Sequence, residues 1–465
     1  MNIHRILIAN RGEIAVRIIR TCRELGIETV LAASSADTES MAARLADQVV
    51  VLGPAPAAAS YLNIAAVINA ALQVKADAIH PGYGFLSENS RLAIACNNAG
   101  LIFIGPTPSQ LLAIGDKLLA RGNAVAAGLP VVPGGEVNTR AEAEALVKNL
   151  GLPVLIKAVG GGGGRGMKLV TDSAALHEAL QLATAEAQAA FGDPRLYIER
   201  YVQSGRHVEV QLLGDGSNII HLGTRDCSVQ RRYQKLIEEA PAPNLSDALR
   251  TAIHDAAVMF GKHLHYVGAG TVEFLVDVER DSFYFLEMNA RIQVEHPVTE
   301  AICHQDLIAA QIRIAEGKRL NLRQQDIQFD GHAIECRLNA EDCAADFRPV
   351  PGTITTALFP AGVGIRMDTH MQQGAVMPPY YDSLLGKLIV HGKDRAQALQ
   401  RLQTALQSCH IEGVPTNLVL HQSVCAAPAF QHGGVDTGFL PTHLAAHPLS
   451  TNTLDKKTEA TDGHA

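Results

Sequence analysis

The sequence predicts a multidomain chain of mixed α/β and α+β class. Strand-like and helix-like segments alternate over residues 1–113, which is the pattern of a parallel sheet covered by helices. A run of five glycines at residues 160–164 then separates two strand-like segments. Beyond it, several strands alternate apolar and polar residues, as antiparallel strands with two different faces do. We therefore expect one chain to combine a parallel sheet with antiparallel sheets.

The first unit begins with a buried-type strand at residues 5–9. A helix from Gly12 to Leu25 ends at Gly26, and further strands are expected at residues 29–33, 76–79 and 101–104. The turn after the first strand is not G-x-G-x-x-G, so a nicotinamide cofactor is not indicated. The loop at residues 80–85 follows the carboxyl end of a strand, where open parallel sheets bind ligands. A plain proline–glycine turn is the alternative for that loop.

The glycine run lies between two strands rather than before a helix, so it is neither a Walker loop nor a dinucleotide fingerprint. Five glycines allow backbone amides to converge on an anion. Lys157 ends the preceding strand and Arg165 follows the run, and both can supply positive charge to phosphate oxygens. We therefore favour a phosphate-binding hairpin over a flexible surface hairpin.

The most informative segment runs from residue 283 to residue 297. Its polar residues fall at every second position: Glu287, Asn289, Arg291, Gln293 and Glu295. The first two are expected on one face of a strand, with Leu286 and Met288 pointing to the other face. A strand with a carboxylate and an amide on one face and apolar residues on the other is typical of the wall of a site.

A second strand, residues 270–276, supplies the facing wall. Its apolar face carries Val272, Phe274 and Val276, and its other face carries Thr271, Glu273 and Leu275. A hairpin symmetric about Arg280 puts Glu273 directly across from Glu287, and like charges that face each other destabilise a sheet. A bound hard cation reverses the sign of that interaction. We therefore predict a Mg²⁺ site at Glu273, Glu287 and Asn289, rather than two solvent-facing glutamates.

A basic loop at residues 225–235 stands out in an acidic protein. It brings Arg231, Arg232 and Lys235 close together next to Gln230. These residues indicate a small anionic substrate, although composition alone fits a solvated loop equally well.

Two other segments carry polar residues on one face of a strand. In residues 206–213 these are His207, Glu209 and Gln211. After residue 331, Glu335, Arg337 and Asn339 are expected to point outward, with Ile334, Cys336 and Leu338 inward. A helix is expected at residues 395–408, and the polar tail after His447 is expected to be disordered.

The composition excludes several classes of protein. A chain of 465 residues with a net charge of −8 gives no electrostatic basis for nucleic-acid binding. No apolar run reaches the length of a membrane span, and the first residues are not those of a signal peptide. Eight cysteines are scattered without a C-x-x-C pair, as is usual for reduced thiols in a core. We therefore expect a cytoplasmic protein with no nucleic-acid or membrane partner.

Taken together, five motifs resemble biotin carboxylase of the ATP-grasp superfamily. They are Arg-Gly-Glu-Ile-Ala at 11–15, His-Pro-Gly-Tyr-Gly-Phe-Leu-Ser-Glu-Asn at 80–89, Lys157 with the glycine run, Glu-Met-Asn-Ala-Arg-Ile-Gln-Val-Glu-His-Pro at 287–297, and Pro-Pro-Tyr-Tyr-Asp-Ser at 378–383. The resemblance extends from residue 3 to about residue 445. It implies a Rossmann-like N-terminal domain (1–113), an ATP-grasp central domain (114–330) with a glycine-rich lid at about 131–204, a mixed α/β C-terminal domain (331–445) and a tail (446–465).

The resemblance also implies a reaction. Bicarbonate attacks the γ-phosphate of ATP to give carboxyphosphate, which releases CO₂ for capture by biotin N1′. The chain has no Ala-Met-Lys-Met carrier motif, so the biotin is expected on a separate biotin carboxyl carrier protein that also serves carboxyltransferase subunits. An acetyl-CoA carboxylase is the preferred setting. Another acyl-CoA, a 2-oxo acid or a urea-type acceptor, a purine-pathway ligase of the same superfamily, and a catalytically impaired paralogue are the alternatives.

The family's residue roles carry over by position. The resemblance implies that Mg²⁺ (or Mn²⁺) binds to Glu273, Glu287 and Asn289. ATP falls to Lys117, Lys157, Gly162, Gly163, Gly164, Glu199, Arg200, Val202, His207, Gln230, Tyr233 and Leu275. The bicarbonate pocket falls to Lys235, Arg291, Gln293 and the Val294 backbone, with Glu295 as the base. Arg337 matches the group that stabilises the biotin enolate, and Tyr83 lies near the biotin ring.

Two further points come from the resemblance. The family usually has histidine at the position of Tyr233, and a neutral phenol cannot add positive charge near the phosphates, so nucleotide affinity or partner choice is expected to differ while activity is retained. Arg17, Arg20 and Glu24 share a helix face that matches the family's homodimer contact, with an ordinary solvated face as the alternative.

Overall fold

The first sheet of the computed structural model, which describes residues 2–159 and 167–449, is parallel and five-stranded. Its strand order is β3-β2-β1-β4-β5. The strands are β1 (Arg5–Ile8), β2 (Glu28–Ser34), β3 (Gln48–Gly53), β4 (Ala78–His80) and β5 (Ile102–Phe103). The helices are α1 (Gly12–Glu24), α2 (Met41–Leu45), α3 (Ile64–Gln73), α4 (Ser90–Asn98) and α5 (Pro108–Gly115). The predicted parallel unit is confirmed.

A small four-stranded sheet follows, with strand order β6-β9-β7-β8. Its elements are α6 (Lys117–Ala126), β6 (Gly134–Val137), α7 (Arg140–Leu150), β7 (Val154–Ala158), β8 (Lys168–Val170), α8 (Leu176–Phe191) and β9 (Leu196–Arg200). β7 and β8 pair antiparallel, so the glycine run does connect two strands. The run itself, with Gly162, Gly163, Gly164 and Arg165, lies outside the described residues.

The central sheet has eight strands in the order β14-β13-β10-β11-β12-β15-β22-β20. Its first part is built from β10 (Gly205–Asp215), β11 (Ile219–Arg231), β12 (Gln234–Ala240), α9 (Asp247–His263), β13 (Val267–Asp277), β14 (Ser282–Asn289), α10 (His296–Cys303) and α11 (Leu307–Ala315). The apolar faces of β10 and β13 form the core under α9, with Val272, Phe274 and Val276 fully buried. All strand pairs within this sheet are antiparallel.

The C-terminal part extends the same sheet, because β15 pairs directly with β12. Its strands are β15 (His332–Asn339), β16 (Glu341–Asp342), β17 (Arg348–Pro349), β18 (Gly352–Thr353), β19 (Thr356–Leu358), β20 (Ile365–Thr369), β21 (Val376–Met377), β22 (Leu384–Gly392) and β23 (His410–Glu412). Its helices are α12 (Arg395–Ser408), α13 (Leu418–Ala426), α14 (Pro428–His432) and α15 (Phe439–Ala446). The expected helix at 395–408 is confirmed, and most of the predicted disordered tail lies outside the described residues.

The hairpin of β13 and β14 has the predicted register, with Glu273 paired to Glu287. The prediction for Leu286 is wrong. A β-bulge follows that pair, so Phe274 lies opposite Phe285 and the alternation of β14 is broken. Phe285 and Met288 are buried in the core, whereas Leu286 lines the cleft described below.

Two further expectations concern burial. Ile334, Cys336 and Leu338 of β15 point into a core, as predicted, but Glu335 is also fully buried, because α10 packs on the face that was expected to be outward. All eight cysteines lie in the described part of the chain as thiols, and seven are buried, which confirms the core assignment. Within the described ranges, no helix is long and apolar enough to cross a membrane.

Candidate active site

A cleft of about 730 Å³ lies between the four-stranded sheet, the eight-stranded sheet and the loop after β4. Of the predicted site residues that the structure describes, all except Glu295 line this cleft: Tyr83, Lys117, Lys157, Glu199, Arg200, Val202, His207, Gln230, Tyr233, Lys235, Glu273, Leu275, Glu287, Asn289, Arg291, Gln293, Val294 and Arg337. Glu295 is fully buried just behind the cleft wall. Residues from three parts of the chain therefore meet in one place.

Glu273 lies at the centre of the polar wall. Its Oε1 accepts hydrogen bonds from Lys235 Nζ at 2.9 Å, Asn289 Nδ2 at 2.9 Å and Gln293 Nε2 at 3.2 Å. His207 Nε2 lies 2.9 Å from Glu273 Oε2. Burial alone would raise the pKa of Glu273, but Lys235 and His207 outweigh it and hold that pKa well below its usual range. Glu273 is therefore ionised, and it is surrounded by these four partners.

Glu287 lies opposite Glu273 and, unlike Glu273, forms no ion pair with any described residue. No hydrogen bond to its carboxylate occurs among the described residues, and burial and the charge of Glu273 raise its pKa, partly offset by Lys117. Lys117 is placed by the start of α6, where Asp116 caps the helix. A divalent cation between the two carboxylates would reverse their repulsion, with the amide oxygen of Asn289 as a third oxygen ligand. The donor set therefore fits a hard cation.

Glu295 lies between two cations. Its Oε1 accepts from Lys235 Nζ at 2.8 Å and its Oε2 from Arg337 Nη2 at 2.9 Å. These contacts overcome burial and hold the pKa of Glu295 well below its usual range. Lys235 also contacts Glu209 at 2.6 Å, and its carboxylate neighbours raise its pKa well above the usual value. Both partners are therefore ionised.

Sequence reasoning assigned no role to four residues that hold these groups, namely Glu88, Glu209, Glu238 and Lys387. Glu88 accepts from Arg291 Nε at 2.9 Å, and Glu238 accepts from Arg337 Nε at 2.6 Å. Lys387 Nζ donates to the Val294 carbonyl at 2.8 Å. The alternation in β10 singled out Glu209 beside His207, and Glu88 lies within the motif at 80–89. Nothing local marked Lys387, which is a lysine in an apolar strand.

The hinge beside the four-stranded sheet carries the remaining predicted nucleotide residues. Glu199 pairs with Lys157 across β9 and β7, and Arg200 donates to the Tyr284 hydroxyl at 2.6 Å. Val202 is buried against the cleft. Leu275 and Gln230 reach the same space from β13 and β11. This end of the cleft thus combines a charged pair with the apolar side chains of Val202 and Leu275.

The basic loop is only partly directed at the cleft. Arg231 and Arg232 both pair with Asp346 at the surface, so these two do not form the expected anion site. Tyr233 lines the cleft from the tight turn between β11 and β12 and is 57% exposed. Its φ of 67° and that of Arg232, 48°, both lie in the left-handed region. Of Arg231, Arg232 and Lys235, Lys235 alone contacts Glu273, as far as the described residues show.

Only part of the helix face that was expected to form a dimer contact is exposed. Arg17 is buried and its Nη2 contacts Glu300 at 2.8 Å and Asp306 at 3.0 Å within the same chain. Arg20 and Glu24 are exposed. The 3.6-residue period places the three on one side of α1, but α10 and the start of α11 cover the earlier turn of that side. Arg17 is therefore not part of a solvated face.

Comparison with known proteins identifies this architecture. Family models match the biotin carboxylase N-terminal domain at residues 2–111, the ATP-binding domain of the carbamoyl-phosphate synthase L chain at 116–323, and the biotin carboxylase C-terminal domain at 335–442. Biotin carboxylase from Nostoc sp. is 51% identical over 443 residues, covering 95% of this chain and 99% of the relative.

Solved structures agree. The crystal structure of a biotin carboxylase–β,γ-ATP complex from Campylobacter jejuni has a TM-score of 0.91 at 45% identity, covering 95% of this chain and 99% of that one. The biotin carboxylase domain dimer of Hydrogenobacter thermophilus 2-oxoglutarate carboxylase, in complex with MgADP, ADP and bicarbonate, has a TM-score of 0.91 at 42% identity, covering 97% and 100%. Since models, relatives and structures all span nearly the whole sequence, the chain belongs to the biotin carboxylase family of ATP-dependent ligases.

Proposed function

We propose that the chain carboxylates biotin N1′ on a separate carrier protein, using ATP and bicarbonate. The observation that carries this proposal is the fully buried Glu295 between Lys235 and Arg337, directly behind the wall that holds Glu273 and Glu287. One cleft thereby offers a cation site, an ionised base and a guanidinium side by side. This order of groups suits phosphoryl transfer followed by carboxylation of an enolate-like anion.

At the nucleotide end, Glu273, Glu287 and Asn289 would hold Mg²⁺ (or Mn²⁺), which neutralises charge on the β- and γ-phosphates of ATP when it is bound. Lys117, Lys157 and His207 line the same end and add positive charge there. Glu199, Arg200, Val202, Gln230 and Leu275 line the hinge end, where an adenine base would lie. Gly162, Gly163 and Gly164 complete the proposed set of ATP residues.

At the bicarbonate end, Lys235, Arg291 and Gln293 offer donors to a small anion. Glu295 is ionised and can take the bicarbonate proton, so that a bicarbonate oxygen attacks the γ-phosphorus and ADP leaves. Engagement of Lys235 by the bound anion would weaken its contact with Glu295 and raise the basicity of that carboxylate. The resulting carboxyphosphate separates into CO₂ and phosphate.

At the biotin end, Arg337 supplies a preorganised cation beside Tyr83. Phosphate takes the N1′ proton, the ureido oxygen of biotin becomes negative, and N1′ forms a bond to the carbon of CO₂. Arg337 is held at Nε by Glu238 and at one Nη by Glu295, so its orientation does not depend on substrate. A fixed guanidinium stabilises a developing oxyanion without reorganisation at the moment of reaction.

We propose a carrier protein and carboxyltransferase subunits as partners, in a cytoplasmic acetyl-CoA carboxylase. The exposed Arg20 and Glu24 are the proposed homodimer contact.

The test is ADP release by the purified chain with ATP, Mg²⁺ and bicarbonate, with and without free biotin. We expect release to require bicarbonate and to rise with biotin, and Glu295→Gln to remove it. Release that biotin does not change would indicate another ligase of the same superfamily. No release at all would indicate an impaired paralogue. The biotinylated protein and the transferase that co-purify with the chain identify the acceptor pathway.

A further inference from the structure

A single carboxylate oxygen joins the two substrate ends of the cleft from behind. Lys387 of β22 donates to the Val294 carbonyl at 2.8 Å, and its Nζ lies 3.0 Å from Glu13 Oε1. The hydroxyl of Tyr83 donates to the same oxygen of Glu13. Glu13 lies in the first turn of α1, Tyr83 in the loop after β4 and Lys387 in the central sheet. Three separate parts of the chain are thus tied at one point.

The ion pair of Lys387 and Glu13 is almost completely buried. The side chains of Lys387 and Glu13 are 0% and 1% exposed. Burial opposes the charge of Lys387, but Glu13 and Asp368 raise its pKa, so the ammonium persists. A buried ion pair is often no more stable than apolar residues of the same volume. Stability alone therefore does not account for this arrangement.

The contacts point to a positional role. The Val294 carbonyl belongs to the peptide that leads into Glu295, so Lys387 fixes the orientation of that peptide and the start of the proposed base. Tyr83 lines the cleft on the biotin side, and its hydroxyl is held by Glu13. Neither Glu13 nor Lys387 lines the main cleft, so both act through the residues they hold.

We infer that Glu13 and Lys387 are positioning residues that set the Val294–Glu295 peptide and the Tyr83 ring relative to one another, and thereby couple the bicarbonate and biotin ends of the site. This inference rests on the proposed function. Groups that share one rigid anchor are expected to show non-additive effects when they are changed together. Loss of the anchor should weaken use of both small substrates and leave the nucleotide end intact.

The experiment removes both charges at once, so that no buried ion is left unpaired. In Glu13→Gln/Lys387→Met, we expect the KM for bicarbonate to rise roughly tenfold, as for a lost hydrogen bond to a charged group, and the KM for ATP to change less than twofold. Tyr83→Phe should raise the KM for free biotin in the wild type and have little further effect in the double variant. If the double variant does not fold, Lys387→Met alone removes the hydrogen bond to the Val294 carbonyl, and Glu13 can then take up a proton, because burial already raises its pKa.

The matched control is Glu239→Gln/Arg395→Met. This pair is also largely buried, with Arg395 Nε donating to Glu239 at 2.7 Å, but neither residue lines the cleft. It should lower thermal stability without changing the KM for bicarbonate. The inference is overturned if the anchor variant leaves the KM for bicarbonate unchanged, if the KM for ATP rises equally, or if Tyr83→Phe acts independently of the anchor. A wild type without bicarbonate-dependent ADP release would instead refute the proposed function.

Discussion

Glu238 and Glu335 face each other across β12 and β15, and neither carboxylate is exposed to solvent. Only Glu238 Oε1 is hydrogen-bonded, to Arg337; the other three oxygens have no hydrogen-bond partner among the described residues. Burial raises the pKa of Glu238 to about 7 and that of Glu335 well above its usual value. The pair therefore retains a proton at neutral pH, and we assign it to Glu335, because Arg337 favours the charged form of Glu238.

This proton makes stability depend on pH. An acid whose pKa is raised by folding stabilises the fold below its unfolded pKa, 4.5 here, and that stability is lost as the pH rises towards the folded pKa. The loss is about 1.4 kcal/mol per pH unit for one such group. We expect Glu335→Gln to lack this slope. The free energy of unfolding of the variant should therefore rise relative to that of the wild type between pH 5 and pH 7.

Denaturation by urea at several pH values measures the slope. A Glu39→Gln variant controls for the change in net charge, because Glu39 is exposed and lies outside the proposed dimer contact. A difference between Glu335→Gln and wild type that stays constant with pH would show that Glu335 is ionised in the fold.

The carboxylate pair of the β13–β14 hairpin predicts a metal-dependent stability. Without a cation, Glu287→Gln removes a like-charge contact with Glu273, so we expect the melting temperature in EDTA to equal or exceed that of the wild type. Addition of Mg²⁺ with ADP should then stabilise the wild type by more than the variant, since bound ligand stabilises according to its affinity. Thermal unfolding with and without Mg²⁺ and ADP measures both effects.

Glu279→Gln is the matched control, because Glu279 lies at the tip of the same hairpin and is not paired with either carboxylate in the sheet. It should respond to Mg²⁺ and ADP as the wild type does. An equal response of Glu287→Gln would remove Glu287 from the proposed metal site.

The sequence predicts those parts of the site that depend on neighbouring residues, but not those that depend on residues far away in the chain. The register of Glu273 and Glu287 follows from a short hairpin and alternation, which are local properties. The bulge that turns Leu286 into the cleft has no local signal, and it breaks the alternation of β14 between Phe285 and Glu287. Arg17 is buried against Glu300 of α10 and Asp306 just before α11, nearly 300 residues away in sequence. Pairings at that distance are set by packing and cannot be derived from one segment's periodicity.

The reaction is a separate matter. The alternation of residues in two strands indicated oxygen ligands for a cation. The assignment of bicarbonate, biotin and the base came from resemblance to a family. Buried supports such as Glu238 and Lys387 were missed because an isolated charged residue in a strand is usually exposed.

Tyr233 predicts a pH-independent interaction with nucleotide. The phenol lines the cleft, is 57% exposed and carries no charge at neutral pH, because burial raises its pKa further above 10. In Tyr233→His, we expect the KM for ATP to fall by about threefold at pH 6 relative to wild type, as for an exposed ion pair, and to match wild type at pH 8. Activity should be present in both proteins. Steady-state kinetics across this range measure the effect, with Tyr233→Phe as a control that adds no charge.

Loss of turnover in the wild type that Tyr233→His restores would show instead that the phenol is disabling. An equal change in KM at both pH values would indicate that the imidazole acts through its size or shape.

Glu88 holds Arg291 from the loop after β4, and this contact predicts an effect on bicarbonate alone. Glu88 Oε2 accepts from Arg291 Nε at 2.9 Å and its Oε1 from the Ala290 amide at 2.8 Å. Since Glu88 is 39% exposed at the side chain, its removal should change the free energy of unfolding by less than about 1 kcal/mol. We expect Glu88→Gln to raise the KM for bicarbonate about threefold to tenfold while the KM for ATP is unchanged, because a misplaced guanidinium loses a directed contact with the anion.

The matched control is Glu28→Gln, which removes a carboxylate of similar exposure, 41%, from its pair with Arg5 at the far end of the parallel sheet. It should have the same small effect on stability and none on the KM for bicarbonate. If the two variants behave alike in the kinetic assay, Arg291 is oriented by Gln293 and Asn289 without help from Glu88. If only Glu88→Gln impairs bicarbonate use, the loop after β4 contributes to the anion pocket through Arg291, and the N-terminal sheet then participates in the chemistry of the central one.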